Sequence, residues 1–285
     1  MTAGPTLASL PELEAVLGRV DDTLRGFLTA KRAELEREDP AAGVMVDELT
    51  RLLDAGGKRI RPLLCVLGYR AAGRLDPAPV LPAAAALELF HLFALIHDDV
   101  MDDERERRGV ASTPRRFASE PPGGERFGRS VAILVGDLAL VLSYELLATT
   151  PLEPERLSRA SEIVSRSALL TAAGQLADVS GRWRDAERLA RLKTGSYTVE
   201  GPLAIGAVLG GAPGRVVEAL EAYARPLGIA FQLRDDDLDD GGDETRTTEI
   251  GALVARALAA LEAAPLDAAS VAALRHVASS VASHP

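Results

Sequence analysis

Asp98, Asp99 and Asp102 lie in Leu95-Ile96-His97-Asp98-Asp99-Val100-Met101-Asp102-Asp103, at the end of an apolar run that keeps a helical period from Leu87 to Ile96. On a helix, residues four apart share a face, so Asp98 and Asp102 point the same way with Asp99 beside them. Carboxylates this close repel one another, and raising their pKa values relieves only part of the strain. A divalent cation relieves the rest. Ligation by aspartate oxygen alone suits Mg²⁺, which keeps waters and takes its further ligands from substrate phosphates. A solvated acidic helix end would look the same if the motif stood alone. It does not stand alone: Phe231-Gln232-Leu233-Arg234-Asp235-Asp236-Asp237-Leu238-Asp239 repeats it at the end of a second apolar helical run.

Cations and hydroxyls are spaced along the chain as phosphate binders need them. Gly56-Gly57-Lys58-Arg59-Ile60-Arg61-Pro62 leads into an apolar helix. Its two glycines allow a tight turn, and Lys58 and Arg61 stand three apart at the helix start, where phosphate is favoured. A basic loop in solvent is the plain alternative. His91 is seven residues before Asp98, two turns along the same face, although a histidine on an apolar helix is commonly a hydrogen-bonded core residue. His97 is one position off that face and reads as structural. Lys193-Thr194-Gly195-Ser196-Tyr197 sets a lysine beside a hydroxyl and small residues, either as a phosphate contact or as an exposed helix lysine. Gln175 and Asp178 are polar positions on a largely apolar helix and face a polar cavity or water. Trp183 is given no chemical role.

The elements that must position these residues are helical. Ala and Leu dominate, aromatic residues make up 4% of the chain, and the apolar pattern has a helical period nearly throughout, so the fold class is all-α. The spacing predicts helices over residues 10–38, 44–54, 63–72, 82–101, 125–149, 213–240, 247–263 and 268–283, with a further one ending near 174–178. Residues 1–6 read as a loose terminus, and 110–124, rich in Pro, Ser and Gly, as a loop. Gly136 allows close helix packing. No linker separates domains, so residues 1–285 form a single domain, long enough to bury a core. The net charge of −10 argues against a general nucleic-acid binder, yet permits a phosphate-bearing substrate if metals bridge the like charges. Lysine occurs only at Lys31, Lys58 and Lys193, leaving the other 29 of 32 basic residues as arginine. Cys65 has no partner for an internal disulfide and reads as a buried thiol. Neither a signal peptide nor an apolar run long enough to span a membrane is evident, so the chain reads as cytoplasmic with no transmembrane segment.

Gly-Gly-Lys-Arg-Ile-Arg-Pro, then His-x6-Asp-Asp-x-x-Asp, then Arg107-Arg108-Gly109, then Lys193-Thr194, then Phe-Gln-x-Arg-Asp-Asp-x-x-Asp resembles the trans-isoprenyl diphosphate synthases, the polyprenyl synthetase family, over roughly residues 40 to 244. The resemblance implies antiparallel helices around a deep central cavity with the two aspartate motifs facing each other across its mouth. It also implies a homodimer and a Mg²⁺-dependent prenyltransferase, with about three Mg²⁺ per site. It assigns Asp98, Asp99, Asp102, Asp235, Asp236 and Asp239 to the metal. Arg107, Lys193, Thr194 and Gln232 go to the diphosphate of an allylic substrate, and Lys58, Arg61, His91 and Arg108 to isopentenyl diphosphate. Asp98, Asp99, Asp102, Lys193 and Gln232 carry the catalytic role. The chemistry agrees. Breaking an allylic C–O bond leaves a carbocation and a pyrophosphate whose growing charge cations stabilise. The carbocation must be kept from water by an apolar wall, and no protein nucleophile is needed.

The chain departs from the family in two places. Arg-Arg-Gly is followed by Val110-Ala111-Ser112-Thr113-Pro114 where members carry x-Pro-Thr-x-His. After the second motif, Gly242-Asp243-Glu244 runs almost directly into Thr247-Thr248-Glu249-Ile250, with no lysine after Lys193, so about fifty residues of the family's length are missing. Either the chain is truly shortened there or a segment is left out of the sequence. The second is favoured, because an open wall would expose an apolar cavity. Two rivals remain in view. A class I terpene cyclase also uses an aspartate motif and Mg²⁺ but needs no second diphosphate site. A non-catalytic partner subunit of a heteromeric synthase tends to lack the aspartates.

Product length has a ruler in the helix that carries Asp98. At about 1.5 Å per residue, Phe93 lies roughly 7–8 Å below Asp98 and Phe90 about 12 Å below. A benzyl group at Phe93 would close the cavity, with small Ala94 leaving space above, or would only pack against a neighbouring helix. By resemblance, a bulky residue five positions before the first aspartate is the pattern of geranylgeranyl diphosphate (C20) formers, with C15 the runner-up.

Overall fold

The computed structural model describes residues 10–181, 185–240 and 244–282. Trp183, the glycines at 241 and 242, and Asp243 lie outside the described residues, as does the expected loose terminus. Among the described residues, twelve α-helices follow in chain order: α1 Leu10–Glu38, α2 Gly43–Asp54, α3 Ile60–Ala71, α4 Leu81–Met101, α5 Thr113–Ser119, α6 Glu125–Ala148, α7 Pro154–Ser180, α8 Ala186–Ala190, α9 Gly201–Gly210, α10 Gly214–Asp240, α11 Glu244–Glu262 and α12 Ala268–Ala282. A π-helical segment, Arg191–Glu200, joins α8 to α9. The β-structure described is a two-residue hairpin pairing Glu106 with Ala111 and Arg107 with Val110. The fold is all-α, as the apolar period predicts.

One expectation needs correction. The 110–124 segment contains α5, started by Pro114 in its first turn, where a fixed φ favours helix entry. Residues 186–210, which carry Lys193 and Thr194, form three helical pieces, the middle one wound as a π-helix. Two described helical stretches bear on the membrane reading. Residues Ala78–Met101 and Glu125–Ala148 are long and apolar enough to cross a membrane by composition, although 67% of the first window is buried inside the protein and 44% of the second. Single polar residues such as Glu88 and Asp137 barely lower the average hydropathy of these helices, and the core helix of a soluble protein passes the same test.

By contacts the chain divides into two compact units. The first takes the chain up to Leu17, Ile60–Val80 and the part from Pro151 onward. Its core joins Leu64 and Leu67 of α3, Leu203 and Ala207 of α9, Tyr223 and Leu227 of α10, and Leu274 and Val277 of α12. Helix α11 follows α10 after three residues and packs on it, with Ile250, Leu253, Val254 and Ala257 in the same core. Helices α10 and α11 thus cover each other's apolar faces. Tyr223 is fully buried, and its hydroxyl donates to Leu274 O at 2.7 Å, which ties α10 to α12. Cys65 is buried on α3, and burial pushes its thiol pKa up, so it stays a neutral core group.

The second unit comprises Gly18–Arg59 and Leu81–Thr150, and α4 lies along α6 within it. Gly136 is what lets the two helices approach: a Cβ there would stand 2.3 Å from the His97 ring. Buried Glu48 of α2 binds Arg51, Arg116 and Thr113, fastening α5.

Candidate active site

In the second unit, α4 ends in the first aspartate motif. Asp102 N donates to Asp98 O at 2.9 Å, which continues the i to i−4 ladder and keeps Asp98 and Asp102 on one face, as the four-residue spacing predicts. Their exposure differs. Asp98 is half-buried, Asp102 exposed, and Asp99 only 1% exposed. Asp99 faces Arg107 on the hairpin, whose Nε and Nη2 donate to its Oδ1 at 2.8 and 2.6 Å. The other oxygen, Oδ2, is buried without a hydrogen-bond partner. Burial pushes the Asp99 carboxyl up to about 6, opposed by the Arg107 charge and hydrogen bonds. Among the described residues no three His, Cys, Asp or Glu side chains are gathered as a ready-made cation nest.

The same unit holds a second cluster, of cations. Lys58 is exposed on the Gly56-Gly57 turn. A Cβ on Gly57, whose φ of +149° favours glycine, would fall 2.7 Å from Arg59 Nη1 and 3.0 Å from Arg108 Cζ, so both guanidinium groups lie close under the turn. Arg108 donates to Leu52 O at 3.3 Å and to Gly56 O, and its Nη2 is 3.4 Å from His91 Nε2. The structure thus brings Arg108 and His91 together beneath the loop that bears Lys58. Arg59, Asp103 and Arg108 have φ of +49°, +55° and +54°, and all three positive-φ non-glycine residues described flank the candidate site segments. Such conformations cost energy and persist where the surroundings enforce them.

His97 is placed as expected of a structural residue, its Nε2 3.2 Å from Ile133 O and 3.7 Å from Asp137. Phe93 is half-buried and Phe90 2% exposed. The Phe93 ring packs edge-on against Phe90 at 5.5 Å and against His97 at 5.0 Å, forming an aromatic ladder along one face of α4.

In the first unit, Arg61 is 6% exposed; its Nη2 donates to Thr198 Oγ1 at 2.6 Å and its cation lies 4.6 Å over the Tyr197 ring. No carboxylate pairs with it among the described residues, and its Nε is a buried donor without a partner. A buried cation in that position calls for an anion. Lys193 lies in the first turn of the π-helical segment and donates to Asp178 Oδ2 at 2.5 Å, so Asp178, one of the polar α7 positions, faces a cation. Thr194 and Gln232 are both 8% exposed, and Gln232 Nε2 donates to Asp236 Oδ1 at 2.6 Å. Burial raises the Asp236 pKa, against the Gln232 hydrogen bond and the charges of Arg246 and Lys193. Asp235 is exposed, while Asp237 turns inward beside Arg234 at 3.8 Å. The side chain of Asp239 lies outside the described residues.

Sequence reasoning passed over Glu88 and Arg59. Glu88 is 1% exposed on α4 and accepts from Arg59 Nη1 at 3.1 Å. The signal was present: a glutamate three residues before His91 in an otherwise apolar helix.

A model of the polyprenyl synthetase family matches residues 44–252. The chain belongs to the polyprenyl synthetase family. It is 38% identical over 193 residues to a geranylgeranyl diphosphate synthase of Methanosarcina mazei, covering 66% of this chain and 56% of that protein. It is 39% identical over 211 residues to a farnesyl diphosphate synthase of Geobacillus stearothermophilus, covering 68% and 65%. The chain therefore spans between 56% and 65% of the length of these curated relatives. Among solved structures, a geranylgeranyl pyrophosphate synthase from Corynebacterium glutamicum complexed with isoprenyl diphosphate and magnesium superposes with a TM-score of 0.85 at 27% identity, over 95% of this chain and 99% of that one.

Proposed function

We propose that this polyprenyl synthetase is a prenyltransferase that condenses an allylic diphosphate with isopentenyl diphosphate, with geranylgeranyl diphosphate as its product. One observation carries the reading: the second unit holds, apart from the aspartate end of α4, a cation cluster of Arg108 and His91 under the Lys58 loop. A terpene cyclase has a single diphosphate to bind and no use for it. A non-catalytic partner subunit has no use for two intact aspartate motifs.

The donor sets Asp98, Asp99, Asp102 and Asp235, Asp236, Asp239 are hard carboxylate oxygens, which suit Mg²⁺. The buried, unpartnered Oδ2 of Asp99 is an acceptor that fits a cation. When bound, about three Mg²⁺ per site would offset the charge that grows on departing pyrophosphate. Arg107, Lys193, Thr194 and Gln232 hold the allylic diphosphate and orient its leaving oxygen. Lys58, Arg61, His91 and Arg108 hold isopentenyl diphosphate so that its double bond meets the carbocation. Phe90, Phe93 and the apolar body of α4 keep water from that cation. Three αL residues at these segments support a site whose geometry is enforced in advance. We read the working form as a homodimer, supported by exposed Leu134 and Val141 seven residues apart on α6.

The test separates the two diphosphate sites. Arg61→Ala should raise KM for isopentenyl diphosphate by about tenfold or more, the value of a charge-assisted hydrogen bond, and leave KM for the allylic substrate near its original value. Equal effects on both would contradict the division and favour the cyclase.

A further inference from the structure

Arg59 and Arg108 sit on different segments, yet both are held in the left-handed region and both lean on one carboxylate. Glu88 Oε1 accepts from Arg59 Nη1 at 3.1 Å and lies 4.0 Å from Arg108 Nη2. Its Oε2 is buried with no hydrogen-bond partner. One turn along α4, His91 meets the same Arg108 Nη2. For stability alone this is a poor arrangement, since a buried ion pair is commonly outdone by apolar residues of the same volume. Arg59 is already fixed by Asp21 at 2.9 Å and by Leu53 O at 2.9 Å. Arg108 donates to backbone carbonyls beside His91, and Glu88 is a buried negative charge within ion-pair distance of its guanidinium, bearing on where it points.

We infer that Glu88 is a positioning residue of the isopentenyl diphosphate site. It orients Arg108 beside His91 and, through Arg59, fixes the turn that presents Lys58. Its charge also offsets the repulsion between two guanidinium groups packed under Gly57. The inference rests on the reading of Lys58, His91 and Arg108 as holders of that diphosphate.

Glu88→Gln keeps the size of the side chain and removes its charge. KM for isopentenyl diphosphate should rise about tenfold, with kcat and the allylic KM changed less than about twofold. Combined with Arg108→Lys, it should add little further, because it acts through that guanidinium. A merely structural glutamate would lower the melting temperature and leave the two KM values in proportion. Binding of inorganic pyrophosphate in chelator, measured by calorimetry, reports on the cation cluster without turnover, since carboxylates cannot hold a diphosphate without metal. If the wild type fails to condense but binds pyrophosphate, and Glu88→Gln loses that binding, the proposed reaction fails and the positioning role stands. Unchanged binding in the variant, or none in the wild type, overturns the inference. Should Glu88→Gln melt below the assay temperature, Glu88→Asp keeps the charge one methylene farther away and should show the same KM split to a smaller degree.

Discussion

At the scale of single residues, Asp99 is a metal-ligand candidate that burial holds partly in its protonated form. Its pKa lies at about 6, above its ordinary range. A proton and a cation then compete for it, and the cation needs the ionised form. Mg²⁺ affinity measured by calorimetry should therefore fall as pH drops through about 6, by about tenfold per pH unit for one competing proton. Asp99→Asn should bind weakly and flatten that profile, and a wild-type affinity constant from pH 7.5 to 5 would contradict the assignment. The sign for stability runs the other way. Because the folded pKa is raised, the contribution of Asp99 to metal-free stability is fully present below its unfolded pKa and is lost as pH rises through about 6. Arg107 limits the loss by pairing with the ionised carboxylate.

At the scale of elements, α4 joins the aspartates to the ladder of Phe90, Phe93 and His97. Phe93→Ala removes the middle ring, five positions before Asp98. Products analysed by mass should lengthen by one or more five-carbon units, and an unchanged product profile would place the cavity floor elsewhere. The helices were legible because their ends are punctuated locally: Pro40 after α1, Gly56-Gly57 after α2, and Asp98 to Asp102 as one helical face. What escaped depends on packing between distant segments. The π-helical turn at Lys193 carries no sequence signature. Its hydrogen-bond register goes with Gly174 against Lys193, where a Cβ would fall 2.4 Å from the backbone nitrogen, and with Gly195 against Gly228. Likewise the pairing of Glu88 with Arg59, 29 positions apart, is a tertiary fact. The polar residues themselves were visible, and their partners were not.

At the scale of the whole molecule, a chain of net charge −10 is read as binding two diphosphates, which places the burden on local cations and metal ions rather than on overall charge. Exposed Leu134 and Val141 carry the assembly prediction. Replacing both by glutamate should convert the proposed dimer to a monomer of about half the mass in sedimentation equilibrium, because a two-fold interface meets each substitution twice. An unchanged mass would remove α6 from the interface. The central claim is that two diphosphate substrates are joined, and it is tested most directly by supplying isotope-labelled isopentenyl diphosphate and Mg²⁺ with allylic diphosphates of increasing length and identifying the products by mass. The account predicts linear diphosphates that each gain labelled five-carbon units and stop at C20, with none formed in chelator. Cyclic hydrocarbon made from the allylic substrate alone, or no incorporation of label from any primer, would contradict it.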